Sequence, residues 1–166
     1  GIVVGESLAM AETLAEQNPT AGLWPSDPAQ RATARWLCAE MVGGFGALRS
    51  DCAMQFRHIW KGFVPSDAVK ADLARVETLW AHARSISGSS DGFLFGEYSL
   101  ADVFYTPVAA RIVGYDLPVS EASRAYCKAL LSDPAVLQWQ EKAQEVQYDT
   151  MPYDMDLPNR PWSLEG

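Results

Sequence analysis

Phe95-Gly96-Glu97-Tyr98-Ser99-Leu100-Ala101-Asp102-Val103 is the most ordered local signal in the chain. Ser99 stands three residues before Asp102, the spacing of a helix capping box. In that motif a hydroxyl accepts the N–H of the third helical residue, whose side chain reaches back to the capping residue's own N–H. Ser99 is expected to accept from the Asp102 amide, and Asp102 to accept from the Ser99 amide. Asp replaces the commoner Glu or Gln. Tyr98 and Val103 occupy the two positions of a hydrophobic staple. The spacing predicts a helix to about Val113, kinked at Pro107. Gly114 is expected to end it in a left-handed cap.

Helical patterning continues on both sides. Ser66-Asp67 opens a helix in which Val69, Leu73, Val76, Trp80, Ala83 and Ile86 keep the 3–4 spacing of one buried face. It stops in the turn chemistry of residues 87–92. Asp27-Pro28 joins an N-cap to a proline at the first helical position. The helix it starts is expected to reach about Ser50, with Ala32, Trp36, Ala39, Val42 and Phe45 or Gly46 on its apolar face. Gly43, Gly44 and Gly46 each cost roughly 1 kcal/mol relative to Ala in a helix, and so mark a close backbone approach or a bend. Residues 51–65 read as an irregular continuation ending before Pro65.

Downstream, a helix from Ser120 to Leu131 places Ala122, Tyr126 and Leu130 on one face. Ser132-Asp133-Pro134 caps a last helix expected to bury Val136, Trp139, Ala143 and Val146. At the other end, Glu6 opens a helix carrying Leu8, Ala11, Leu14 and Ala15 on one face, and Asn18-Pro19 ends it. Gly1 to Gly5 read as the end of a β-strand with no sheet to join. Residues 148–166 are Pro-rich, acidic and aperiodic, an extended tail that Trp162 can anchor. No internal repeat occurs. The class is all-α.

Composition narrows the functions. The chain has 166 residues, 48% hydrophobic and 20% charged, enough for a sizeable core. No apolar run approaches the ~20 residues of a membrane span. Residues 1–20 lack the basic start and apolar stretch of a secretory signal. The net charge is −8. Residues 1–27 contribute −4 and residues 145–166 another −4, while the segment between them is balanced. That charge disfavours nucleic acid and anionic membrane as partners. Three separated cysteines with no C-x-x-C point to a reducing compartment. The two histidines, His58 and His82, lack a metal-ligand spacing, so no metal is expected.

Three stretches resemble the cytosolic glutathione transferases. Glu6-Ser7-Leu8-Ala9-Met10-Ala11-Glu12-Thr13-Leu14 resembles the family's E-S-x-A-I-x-x-Y-L strand-to-helix junction. Leu23-Trp24-Pro25-Ser26-Asp27-Pro28, with Arg31, Trp36 and Glu40-Met41-Val42-Gly43-Gly44-Phe45, resembles the interdomain linker and first long helix of bacterial members. The opening stretch, with its S-x-A-D core, resembles the family's buried capping box. Order and spacing agree over nearly the whole chain, to about residue 147.

The resemblance implies a division of the chain. Residues 1–17 would be the remnant of a thioredoxin-like N-terminal domain, 18–27 a linker, 28–147 the all-α C-terminal domain and 148–166 the tail. It implies glutathione as co-substrate, held in part by Glu6 and Ser7: the carboxylate meets the γ-glutamyl ammonium, the hydroxyl and backbone N–H the γ-glutamyl carboxylate. It implies a wall for an apolar electrophile at Met41, Val42, Phe45 and Arg49, near Leu48. Met41 and Leu48 also read as core. Some bacterial members carry a His near Val42 that reaches toward the glutathione sulfur, and valine cannot do so. The family's thiolate-stabilising Tyr, Ser or Cys matches no residue here, so no catalytic residue is assigned and the chain alone is expected to be inactive. The intact parent is expected to be cytoplasmic and homodimeric, active in detoxification. A non-catalytic transferase-like scaffold, or a glutathione-dependent isomerase, reductase or dehalogenase, has the same fold.

Overall fold

The computed structural model describes residues 1–146 and 155–164. Among them the chain forms seven α-helices and one two-stranded sheet: α1 (Ser7–Gln17), α2 (Pro28–Gly43), α3 (Gly46–Asp51), β1 (His58–Trp60), α4 (Asp67–Ser87), α5 (Leu100–Gly114), α6 (Glu121–Leu131), α7 (Pro134–Glu145) and β2 (Asn159–Pro161). The all-α class holds. The chain divides into two compact units. One contains Gly1–Gly44 and Thr78–Tyr105, the other Phe45–Glu77 and Thr106–Gly166.

In the first unit, Ala11, Trp24, Ala34, Cys38 and Ala101 form a core against which Leu8, Ala15, Phe95, Leu100 and Phe104 pack. Leu14, expected on the buried face of α1, is half exposed. Asp27 caps α2 by accepting the Gln30 N–H at 2.9 Å, and Pro28 fills the first helical position. The buried face of α2 is Ala34, Leu37, Cys38 and Met41, whereas Trp36 is 45% exposed. The helix carries two apolar stripes at 3–4 spacing, and spacing alone cannot choose between them. Gly1–Gly5 form no strand, and Ile2 and Val3 are exposed.

The expected capping box forms with a different bond pattern. Asp102 is fully buried. Its carboxylate accepts the Ser99 N–H and the Ser99 hydroxyl, both at 2.9 Å, and the Leu94 N–H at 3.3 Å. The Asp102 amide donates to the Ser99 carbonyl at 3.0 Å. The hydroxyl has one hydrogen to give and directs it to the carboxylate that already takes the Ser99 and Leu94 amides. At the two staple positions, Tyr98 meets Phe93 edge-on, with centroids 5.0 Å apart, and Val103 is half exposed. In the C-terminal half of α4, Leu79, Trp80 and Ala83 are buried, but Ile86 is not.

The long helix expected to reach Ser50 stops at Gly43. Gly44 turns into extended backbone, and a Cβ there would lie 2.6 Å from the Glu40 carbonyl oxygen. This is the close approach for which the glycine is needed. Phe45 follows at φ 57°, in the left-handed region, and α3 starts in the second unit.

Within the second unit, Val69, Leu73 and Val76 of α4 are buried as expected. Glu77 reaches the start of α6, accepting the Ser120 N–H at 2.8 Å, the Ser120 hydroxyl at 2.6 Å and the Ser123 hydroxyl at 2.7 Å. Ser120 in turn caps α6 through the Ser123 N–H. The buried face of α6 is Ser123, Tyr126, Cys127, Leu130 and Leu131, with Ala122 exposed. The buried face of α7 is Val136 and Gln140, and Trp139 is half exposed.

Residues 51–65 are not a helical continuation past Asp51. They hold β1, which pairs antiparallel with β2 in the register His58↔Pro161, Ile59↔Arg160, Trp60↔Asn159. Part of the residues read as an extended tail is thus in a sheet, and part, 148–154 and 165–166, lies outside the described residues. Trp162 follows β2 and is buried: its ring meets Phe56 edge-on, and its indole N–H donates to Gln140 Oε1 at 3.2 Å. Gly114 is not left-handed. Asp116 takes that conformation instead, at φ 47°.

Candidate functional site

The residues read as glutathione contacts lie at the start of α1. Glu6 is the N-cap, held at φ 75°, ψ 135°. A positive φ is strained for a residue with a Cβ. Here it turns the carboxylate back onto its own helix: Oε2 accepts the Leu8 N–H at 3.1 Å and the Ala9 N–H at 3.3 Å. The Ser7 hydroxyl donates to Oε1 at 3.1 Å. The amides at a helix start point outward and favour negative charge. The Leu8 N–H is the main cause holding the Glu6 carboxyl below its ordinary 4.5, against a smaller opposing effect of burial, and the Ser7 hydroxyl and Ala9 N–H add to the lowering.

The site therefore presents one ionised carboxylate, one hydroxyl and the amides of a helix start, all solvent-exposed. A carboxylate there can receive an ammonium, and a hydroxyl beside helix amides can receive a carboxylate. As the site stands, the Ser7 hydroxyl and the Leu8 and Ala9 amides are all taken by Glu6, so a ligand carboxylate would have to displace the Glu6 carboxylate from them.

The residues read as a substrate wall divide by exposure. Met41, in the last turn of α2, is 9% exposed, and Val42 beside it is partly exposed. In the other unit, Phe45 is 5% exposed, Leu48 is fully buried and Arg49 lies exposed in the last turn of α3. Val42 and Arg49 offer side-chain surface to a ligand, whereas Met41, Phe45 and Leu48 offer almost none.

One exposed cluster was not anticipated. The Trp36 indole N–H donates to Glu40 Oε2 at 3.0 Å, and the His82 ring meets Trp36 at 5.4 Å. The i, i+4 spacing of Trp36 and Glu40 was its signal in the sequence. A tryptophan at helical spacing reads equally as a core residue, which hides that signal.

Cys38, Cys52 and Cys127 are all buried, and burial is the main cause pushing each thiol up to about 12. None is a nucleophile at neutral pH. Among the described residues, no group of three or more His, Cys, Asp or Glu is placed to hold a metal, and no helix is long and apolar enough to cross a membrane.

No protein-family model matches the sequence, and no curated protein matches it. Solved structures do. A glutathione transferase homolog from Burkholderia gl BGR1, crystallised with bound glutathione, is 24% identical at a TM-score of 0.62, over 88% of this chain and 70% of that one. Glutathione transferase Omega 1C from Trametes versicolor is 17% identical at a TM-score of 0.58, over 87% of this chain and 64% of that one. The chain thus spans about two thirds of the length of these structures. Their likeness establishes the architecture: the chain has the mostly helical fold of the glutathione transferases.

Proposed function

We propose that this chain is the helical part of a bacterial-type glutathione transferase, with residues 1–17 the end of a thioredoxin-like half and 18–27 the linker. Residues 28–147 are the helical domain in this reading. The parent would catalyse attack of the glutathione thiolate on an electrophilic, largely apolar substrate. The observation that carries the reading is the Glu6–Ser7 pair at the start of α1. The exposed Glu6 carboxylate can receive the ammonium of a γ-glutamyl group, and Ser7 with the helix-start amides would receive its carboxylate on release from Glu6, in a fold shared with a glutathione-bound structure. Val42, partly exposed at the end of α2, would contribute to the electrophile side. The donor that lowers the glutathione thiol pKa, a Tyr, Ser or Cys, would lie in the thioredoxin-like half. Homodimerisation, a cytoplasmic location and a role in detoxification belong to the same proposal.

Glutathione titrated into isotope-labelled chain tests it. The Leu8 and Ala9 amide signals are expected to shift saturably, and Glu6→Gln together with Ser7→Ala should abolish the shift. No shift at millimolar glutathione overturns the assignment of Glu6 and Ser7. For the intact parent, turnover of glutathione with a chlorinated nitrobenzene tests the transfer itself.

A further inference from the structure

The second unit contains a cavity of about 660 Å³, a volume within the range of small-molecule sites. It shares no residue with Glu6, Ser7 or the substrate-wall residues. Its apolar lining includes Ile59 and Trp60 of β1, Val113 of α5, Ala125 of α6 and Leu164 beyond β2. Four cations line it as well: Lys61, Arg124, Lys128 and Arg160. Two acids, Asp116 and Glu121, oppose them.

The charges are not equally engaged. Arg124 pairs with Asp116 at 3.4 Å and donates to the Leu117 carbonyl at 3.1 Å. Lys61, Lys128 and Arg160 have no side-chain partner among the described residues. Glu121 alone remains against these three, so the unengaged lining carries two net positive charges on a chain whose overall charge is −8. Local positive charge against an apolar wall focuses the field on whatever enters.

The three cations come from distant parts of the sequence: β-pairing brings the Lys61 and Arg160 segments together, and α6 supplies Lys128. Ile59↔Arg160 sets Arg160 beside β1, and Lys61 follows directly after Trp60, its amide bonded to the Pro158 carbonyl at 2.7 Å. Lys128 lies in the last turn of α6, where a cation is favoured by the helix dipole.

We propose that this cavity binds an organic phosphate ester: a dianionic head against Lys61, Lys128 and Arg160, with an apolar body on the Trp60, Ile59 and Leu164 side. Two negative charges match the unengaged excess, and the apolar lining gives an aromatic or aliphatic body a reason to enter.

Calorimetric titration of the 166-residue chain with 1-naphthyl phosphate tests the proposal, with inorganic phosphate and 1-naphthol as comparison titrants. Naphthyl phosphate is expected to bind saturably, weakening with salt, and both comparison titrants much more weakly. Lys61 and Lys128 are exposed, so Lys61→Gln with Lys128→Gln should leave far-ultraviolet circular dichroism unchanged. That double variant should bind roughly tenfold more weakly, about the effect of two solvent-facing ion pairs. Absence of saturable binding overturns the site. Equal binding by the double variant overturns the role of the cations. Equal binding by inorganic phosphate or by naphthol overturns the amphiphilic ligand class.

Discussion

The Trp162 ring stands 3.3 Å from the point where a Cβ on Gly114 would lie, with Gln55 Nε2 and the His58 carbonyl just behind it at 3.7 and 3.8 Å. Gly114 therefore serves to let the residues after β2 approach α5. Two effects oppose in Gly114→Ala. Alanine improves helix propensity by roughly 1 kcal/mol. Overpacking costs about 1–3 kcal/mol, and Trp162 cannot easily retreat, being held by Phe56 and Gln140. The net expectation is a destabilisation of about 1 kcal/mol, measured by urea unfolding. Trp162→Ala should cost more, about 3 kcal/mol.

Asp102 is the most consequential buried polar group of the first unit. Asp102→Ala leaves the Ser99 and Leu94 amides without their acceptor in a buried site. An expected loss of about 3 kcal/mol follows from stranded buried donors. Ser99→Ala removes one hydroxyl bond and should cost about 1 kcal/mol. Equal losses in the two variants, by denaturant unfolding, would contradict this order.

Helix starts were legible because their chemistry is local. Asp27-Pro28, Ser120 and Asp133-Pro134 each cap a helix where expected, and Glu6 caps α1 with its own carboxylate. Which face turns inward was less legible. In α7 the residue buried beside Val136 is Gln140, a polar side chain that has no place in an apolar pattern. It is buried because its amide donates to the Leu131 carbonyl at 3.0 Å and its carbonyl receives Trp162. The β1–β2 pair was invisible: its partners are about a hundred residues apart, and neither strand is long enough to show alternation. The candidate site was legible at Glu6-Ser7 only through a resemblance, since two polar residues at a helix start ordinarily mean a cap.

Glu77 predicts a pH dependence. Burial raises its carboxyl pKa, but the Ser120 and Ser123 hydroxyls and the Ser120 N–H outweigh it, so the folded-state value is lowered. A lowered folded pKa gives stability that is full above the unfolded value and is lost as pH falls through the folded one. Glu77→Gln should thus melt lower than the parent chain near neutral pH. The two should converge as the pH falls below the usual Glu range. Thermal melts of both proteins across that interval read the difference directly.

The cysteines predict a chemical silence. With all three thiols pushed up to about 12, thiolate at pH 8 is on the order of one part in ten thousand, and none is accessible. A disulfide-exchange chromophore should report no reactive thiol in the folded chain and three in guanidinium.

Gln55 has a consequence for how the molecule avoids its own copies. In an antiparallel ladder alternate residues face the partner strand. Arg57 and Lys61 do so, through Trp162 and Pro158, so His58 turns its amide and carbonyl the other way. Both are already taken by the Gln55 carboxamide, at 2.8 and 2.7 Å. Opposite His58, on the outer side of β2, stands Pro161, which has no N–H to offer. A two-stranded sheet has nothing but edges, and edges recruit further strands into aggregates. At this register one edge is occupied by a side chain that imitates a strand, and the other lacks the donor a new strand would need.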